Sequence, residues 1–351
     1  MAGSLPGMDA GTDRLVEVTG FGSNPGSLRM LAHVPADLPA GAPLVVALHG
    51  CTQSAAGYDL GTGWSDLANR CGFAVLLPEQ MRENNANLCF TWFDAANTTR
   101  DRGEPQSIRE MIERMIADHG LDRRRVYVTG LSAGGAMAAV LLATYPEVFA
   151  GGAIVAGLPY RAASNMQEAF EAMFQGPDRP AADWGDRVRA ASPHRGPWPR
   201  VSVWHGSADT TVTPRNAEEI VKQWTDVHGL APAPTLEEAG PGHVRRVWHG
   251  ADGEPAVEHY AFAGMAHGVP IHPGEGVDRG GVAGPFMLDV GLSSTHRIAA
   301  SWGLAPSALP DVTAPRDPHA APAEPAHGGG LGDFIHSAIT KALEAAGLVK
   351  R

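Results

Sequence analysis

Stretches 44–48, 73–77, 126–129, 152–155 and 201–204 are short and almost continuously apolar, and helical periodicity fills the chain between them. A strand apolar on both faces has to be buried on both, which is the condition of a mostly parallel sheet covered by helices. Alternation of such strands with helices implies βαβ units and a chain of the α/β class. The expected helices are residues 63–68, 106–119, 133–144 and 216–228. In the second, Ile108, Met111, Ile112, Met115 and Ile116 form one apolar stripe at helical spacing. Ahead of these units, 15–19 and 28–34 read as an opening hairpin around a Gly/Ser/Asn/Pro turn.

Two stretches break the pattern. Residues 157–199 lose the apolar strands and offer one helix near 166–174; this insertion either caps an active site or is a surface excursion. After Leu304, repeated prolines and the run Gly328-Gly329-Gly330 mark a linker. The expected division is therefore a catalytic domain over 1–304, with 157–199 as candidate cap, a linker over 305–330, and a short amphipathic helix over 331–351. That helix places Phe334, Ile335, Ile339 and Leu343 on one face, which docks on its own body, on a second copy as a homodimer, or on a polymer surface.

The chemistry is carried by Gly130-Leu131-Ser132-Ala133-Gly134, a G-x-S-x-G placed directly after a strand and directly before a small-residue helix. A strand turning sharply into a helix exposes the serine hydroxyl above the sheet, and small flanking residues allow the close approach. This context specifies an α/β-hydrolase fold with Ser132 as nucleophile. A serine hydroxyl needs a base to take its proton and an acid to orient that base, in the chain order Ser, Asp or Glu, His. Strand 201–204 runs into His205-Gly206-Ser207-Ala208-Asp209, so Asp209 sits where ligands gather in open α/β sheets. The strand-like segment 256–262 leads to Met265-Ala266-His267-Gly268, which makes His267 the base. Among 15 histidines, His205 competes but precedes Asp209 in the acid's own loop; His243, His249, His259 and His272 read as surface or packing residues. Their spacing matches no metal-ligand pattern, so neither metal nor cofactor is expected. Two backbone N–H groups should face the oxyanion, from Ala133 and from Cys51 in the loop His49-Gly50-Cys51-Thr52-Gln53.

The blocks His49 to Gln53, Pro78-Glu79-Gln80, Asn87-Leu88-Cys89-Phe90-Thr91-Trp92-Phe93, Gly130 to Gly135 and His205 to Val212 resemble the polyhydroxybutyrate depolymerase type of esterase, a family that also holds feruloyl and acetylxylan esterases. The resemblance implies Ser132, Asp209 and His267 as triad, the Cys51 and Ala133 amides as oxyanion hole, and Trp92 in the acyl-binding pocket, with an ordinary core tryptophan as the alternative; Met265 is a further candidate substrate-binding residue. It brings Cys51 and Cys89 towards the site as a candidate disulfide, which implies an oxidising compartment, extracellular or periplasmic; three reduced thiols remain the alternative, with Cys71 read as a buried free thiol. After His267 the chain departs from the family pattern, continuing Gly268-Val269-Pro270-Ile271-His272 into a Gly-rich loop.

Composition narrows the function. A net charge of −11 opposes nucleic-acid binding, which needs a basic surface. No apolar run approaches the roughly 18–20 residues of a membrane span. Residues 1–14 show no signal peptide, so a cytoplasmic location stays open. The expected activity is a serine carboxylic-ester hydrolase acting on poly- or oligo(3-hydroxyalkanoate) esters. With only a linker and short helix after Leu304, soluble oligomers, amorphous polymer or small esters are expected rather than crystalline granules. Feruloyl or acetylxylan esters come second, and amide cleavage of a poly(amino acid) third. A non-catalytic binding protein on the same fold is the alternative of a different class.

Overall fold

The computed structural model describes residues 14–274 and 276–307. The expected tail helix and its homodimer, and all but the first residues of the expected linker, lie outside them. The described residues form twelve strands: β1 (Val16–Val18), β2 (Arg29–His33), β3 (Leu44–Leu48), β4 (Ala74–Glu79), β5 (Val126–Leu131), β6 (Gly151–Val155), β7 (Arg200–Gly206), β8 (Leu236–Gly240), β9 (His243–His249), β10 (Pro255–Phe262), β11 (Val269–Ile271) and β12 (Met287–Asp289). The helices are α1 (Ala55–Thr62), α2 (Trp64–Cys71), α3 (Gly103–His119), α4 (Ala133–Thr144), α5 (Met166–Gln175), α6 (Ala181–Arg189), α7 (Arg215–Val227) and α8 (Ser294–Ser301).

One ten-stranded sheet has the order β1-β2-β4-β3-β5-β6-β7-β10-β9-β8, and β11 pairs with β12 apart from it. From β4 to β10 the pairing is parallel, with antiparallel strands on both flanks. The expected α/β-hydrolase architecture is borne out: the fully apolar strands are the central parallel ones. Along β3, Leu44, Val46 and Leu48 enter the apolar layer that also holds α3, α4 and α7 residues, while Val45 and Ala47 enter the opposite layer with α2 and α8. Two-sided burial thus follows from the period-two alternation of a strand between two helical layers.

Several elements escaped the periodicity. The β8–β9 hairpin is charged, and its register sets Glu237 opposite Arg246 and Glu238 opposite Arg245, with ion pairs of 2.8 Å and 2.7 Å. Cross-strand charge, not apolar alternation, distinguishes this edge. Helix α1 carries two glycines and follows the Ser54 N-cap, whose hydroxyl accepts from Gly57 N; it lies ahead of the helix expected from residue 63. In the candidate cap segment, α6 lies along α7: buried Trp184 donates from Nε1 to Glu219 at 2.6 Å, and Gln223 donates to the Trp184 carbonyl. Cys71 is half-buried, not buried as expected, because it ends α2 at the rim of the sheet. No helix among the described residues is long and apolar enough to cross a membrane.

The order β4-β3-β5 is what makes a site. The chain runs from β3 outward to β4, then returns to the other side of β3 as β5, so the connections diverge and leave a crevice at the strands' C-terminal ends.

Candidate active site

In the register of β3 and β5, Leu48 stands opposite Gly130, so the loop from His49 and the turn at Ser132 leave adjacent strands side by side. Ser132 has φ 57° and ψ −117°, a conformation whose strain is of order 1–3 kcal/mol. Its amide donates to the Val155 carbonyl at 2.9 Å, which holds the turn against β6. The elbow closes only because the residues around it lack side chains. A Cβ on Gly134 would meet the Leu48 and His49 carbonyl oxygens, and one on Gly130 would meet the Gly134 backbone. Gly134→Ala is accordingly expected to destabilise the protein by about 1–3 kcal/mol and to lower esterase activity with it, as read by urea unfolding and a p-nitrophenyl ester assay. Unchanged stability would show that α4 can slide away from β3.

The Ser132 hydroxyl makes no hydrogen bond to a described residue and the residue is 9% exposed, which leaves the oxygen reachable from the crevice. The Ala133 amide opens α4, whose first-turn N–H groups have no intrahelical acceptor. In the facing loop, Thr52 N donates to Asn87 O and Gln53 N to Gly50 O, whereas Cys51 N has no acceptor among the described residues. Cys51 and Cys89 are joined by a disulfide. His49 is fully buried and shapes the loop from below: its Nδ1 is 2.8 Å from Gly50 O and its Nε2 accepts from Gln80 N at 3.1 Å. Burial holds the His49 ring below its ordinary pKa, outweighing the bond to Gly50, which fits a neutral ring that accepts at Nε2.

Two strands along, Phe262 of β10 stands opposite Gly206 of β7, so the segments that carry Asp209 and His267 also leave neighbouring strands together. His267 Nδ1 donates to Asp209 Oδ2 at 2.7 Å, with the histidine side chain 8% and the carboxylate 0% exposed. This fixes the tautomer in which Nε2 carries the free lone pair. The other carboxylate oxygen accepts from Thr211 N at 2.9 Å and Val212 N at 2.8 Å. Burial by itself would raise the Asp209 pKa. The hydrogen bonds from His205 and His267 outweigh it and hold the carboxyl well below the usual carboxylate range.

His205, set aside in the sequence as part of the acid's loop, is a second support of the acid. Its Nε2 lies 3.2 Å from Asp209 Oδ2 and 2.8 Å from Val212 O, and the ring is buried. Phe286 is a further contact that nothing in the sequence signalled: its ring meets His267 edge-on at 5.9 Å. It arrives there because β12 pairs with β11, which directly follows the histidine. Trp92 is buried in edge-to-face contact with Phe93 at 5.5 Å. Met265 is buried in the opposite apolar layer, where its carbonyl accepts from Ala208 N.

The family model described as "Esterase PHB depolymerase" matches residues 31–246. The chain is 48% identical over 291 residues to poly(3-hydroxyalkanoate) depolymerase C of Paucimonas lemoignei, covering 83% of this chain and 70% of that protein. It is 32% identical over 277 residues to an acetylxylan esterase of Coprinopsis cinerea, covering 76% and 72% respectively. Among solved structures, an acetyl xylan esterase from Aspergillus awamori superimposes with a TM-score of 0.71 at 26% identity, covering 83% of this chain and 99% of that one.

Proposed function

This chain belongs to the PHB depolymerase family of esterases, and from that premise we propose that it cleaves poly- or oligo(3-hydroxyalkanoate) esters through Ser132, His267 and Asp209. The observation that carries this reading is the His267–Asp209 hydrogen bond of 2.7 Å, formed on the same sheet edge as the strained Ser132 turn. His267 Nε2 takes the proton of the Ser132 hydroxyl as its oxygen attacks the ester carbonyl. The amides of Cys51 and Ala133 receive the charge on the tetrahedral oxygen, and neither has a competing acceptor among the described residues. The same imidazole then protonates the leaving alcohol, and water repeats the cycle on the acyl-enzyme. Asp209, ionised and buried, holds the tautomer and stabilises the imidazolium in both halves.

Substrate class follows from the 48% identity to a poly(3-hydroxyalkanoate) depolymerase, and from a net charge of −11 that suits a neutral ester. In this reading Trp92 lines the acyl side of the pocket, its aromatic face holding a short acyl chain, and Met265 is a further substrate-binding residue. The Cys51–Cys89 disulfide supports work outside the reducing cytosol, in the periplasm or the medium. The structural match to an acetyl xylan esterase favours a second reading, acetylated or feruloylated polysaccharide.

The two readings separate in a substrate series. A soluble 3-hydroxybutyrate trimer is expected to exceed methyl ferulate and acetylated xylan in kcat/KM by about tenfold or more, a difference that pocket contacts can supply. The reverse order would assign the enzyme to polysaccharide esters.

A further inference from the structure

Behind the crevice lies a carboxylate that the reaction above does not use. Glu104, the second residue of α3, is 2% exposed, and no cation pairs with it among the described residues. Neutral donors surround it instead. Its Oε1 accepts from Gln80 Nε2 at 2.7 Å and Thr91 Oγ1 at 2.7 Å, and its Oε2 accepts from Thr91 N at 3.0 Å. Burying a carboxylate without a counter-charge is expensive, and a well-packed neutral side chain is the cheaper structural solution.

The partners of Glu104 lead to the oxyanion loop by three routes. Gln80 donates from its backbone to His49 Nε2 at 3.1 Å, and His49 holds Gly50 O at 2.8 Å. Gln80 Nε2 also donates to Cys89 O at 3.1 Å, and Cys89 is bonded to Cys51 through sulfur. The segment ending at Thr91 receives Thr52 N through Asn87 O at 2.7 Å. The remaining Gln80 oxygen is occupied by Met81 N and Asn84 Nδ2. The Gln80 side chain therefore cannot turn without breaking its bonds to Glu104, Cys89, Met81 and Asn84.

Resting on the reading of Cys51 N–H as an oxyanion donor, we propose that Glu104 is a positioning residue which, through Gln80 and Thr91, holds the Cys51 amide in place for the tetrahedral intermediate. The ionised carboxylate fills this role without rearrangement, because it accepts on every side. A protonated acid has to donate one bond, and Gln80 Nε2, Thr91 N and Thr91 Oγ1 all point donors at it. The Thr91 oxygen already accepts from Asn97 Nδ2 at 2.6 Å. Burial raises the Glu104 pKa to about 7, against the bonds from Thr91 and Gln80, and the nearby Asp94 adds to the rise. His49 stays neutral in its buried setting and brings no charge to the network. Protonation near neutrality thus loosens the oxyanion loop.

Glu104→Gln tests this, because it keeps the shape and removes the charge. The expected result is a fall in kcat on a p-nitrophenyl ester of about tenfold or more, short of the roughly 10²–10³ for deleting a donor itself, with KM little changed. Affinity for a trifluoromethyl ketone, whose hemiketal oxygen occupies the oxyanion position, should fall in parallel. The acid limb of kcat/KM should be steeper than one proton per pH unit in wild type and return to one proton in the variant. Thr91→Val, which removes the Oγ1 bond to Glu104 together with the bond from Asn97 Nδ2, should show the same falls in kcat and ketone affinity at smaller size and serves if Glu104→Gln does not fold. A loss confined to KM, or unchanged kcat and ketone affinity in a folded variant, would overturn the proposal. Labelling of Ser132 by a fluorophosphonate in wild type keeps the two questions apart: its absence sinks the active-site reading, whereas labelling with no effect of Glu104→Gln sinks only this one.

Discussion

Ser132→Ala should reduce turnover of a p-nitrophenyl ester by about 10⁴–10⁶-fold, leaving only the catalysis that binding and the oxyanion donors supply. The fold should not pay for this change. The hydroxyl has no hydrogen-bond partner among the described residues, so its removal orphans nothing, and alanine meets the same backbone strain at φ 57° as serine does. Steady-state rates with an active-site titration, beside a thermal melt, measure both halves. A variant that melts like wild type yet retains a few per cent of the activity would remove Ser132 from the chemistry and send the search for a nucleophile elsewhere in the crevice.

The second large effect is expected from Asp209→Asn, about 10⁴-fold in kcat. The reason lies in the fixed donors around the carboxylate. Thr211 N and Val212 N occupy one oxygen and cannot reverse, so the asparagine must keep its carbonyl there and turn its amide NH₂ towards the histidines. His267 Nδ1 would then have to accept, which puts the proton on Nε2 and removes the base. The variant also carries a pH signature. Asp209 has its pKa lowered in the folded protein from an ordinary 3.8, so it contributes stability that is present above pH 3.8 and lost as the pH falls below it towards the folded value. The stability advantage of wild type over Asp209→Asn should therefore be largest above pH 3.8 and shrink in more acidic solution, which melts between pH 2.5 and 6 would follow. An advantage that grows on acidification would mean that Asp209 is not the ionised, hydrogen-bonded acid of the site.

How much of this was legible before folding depends on the range of each signal. The central strands announced themselves because two-sided burial demands apolar residues at consecutive positions, a property of neighbours in the chain. The nucleophile turn was legible for a similar reason: Gly130, Gly134 and Ser132 lie within one pentapeptide, and the clash that excludes side chains there is local in sequence as well as in space. Asp209 and His267 could be named from their places after strands. Their 2.7 Å bond spans 58 residues and exists because β7 and β10 pair in one particular register. That register is not written in either strand alone. The same holds for His205 on Asp209, for Phe286 against His267, and for Glu104, which reads in the chain as an ordinary acidic residue at a helix start. The charged β8–β9 edge was missed because its pairing energy comes from opposite charges matched across strands. The amino-acid sequence by itself determined the fold class and the residue types available for the chemistry, since both rest on burial and sterics among near neighbours. Only the tertiary structure decided which of those residues meet, because contacts across tens of residues are set by sheet register and by where helices such as α3 pack behind the loops.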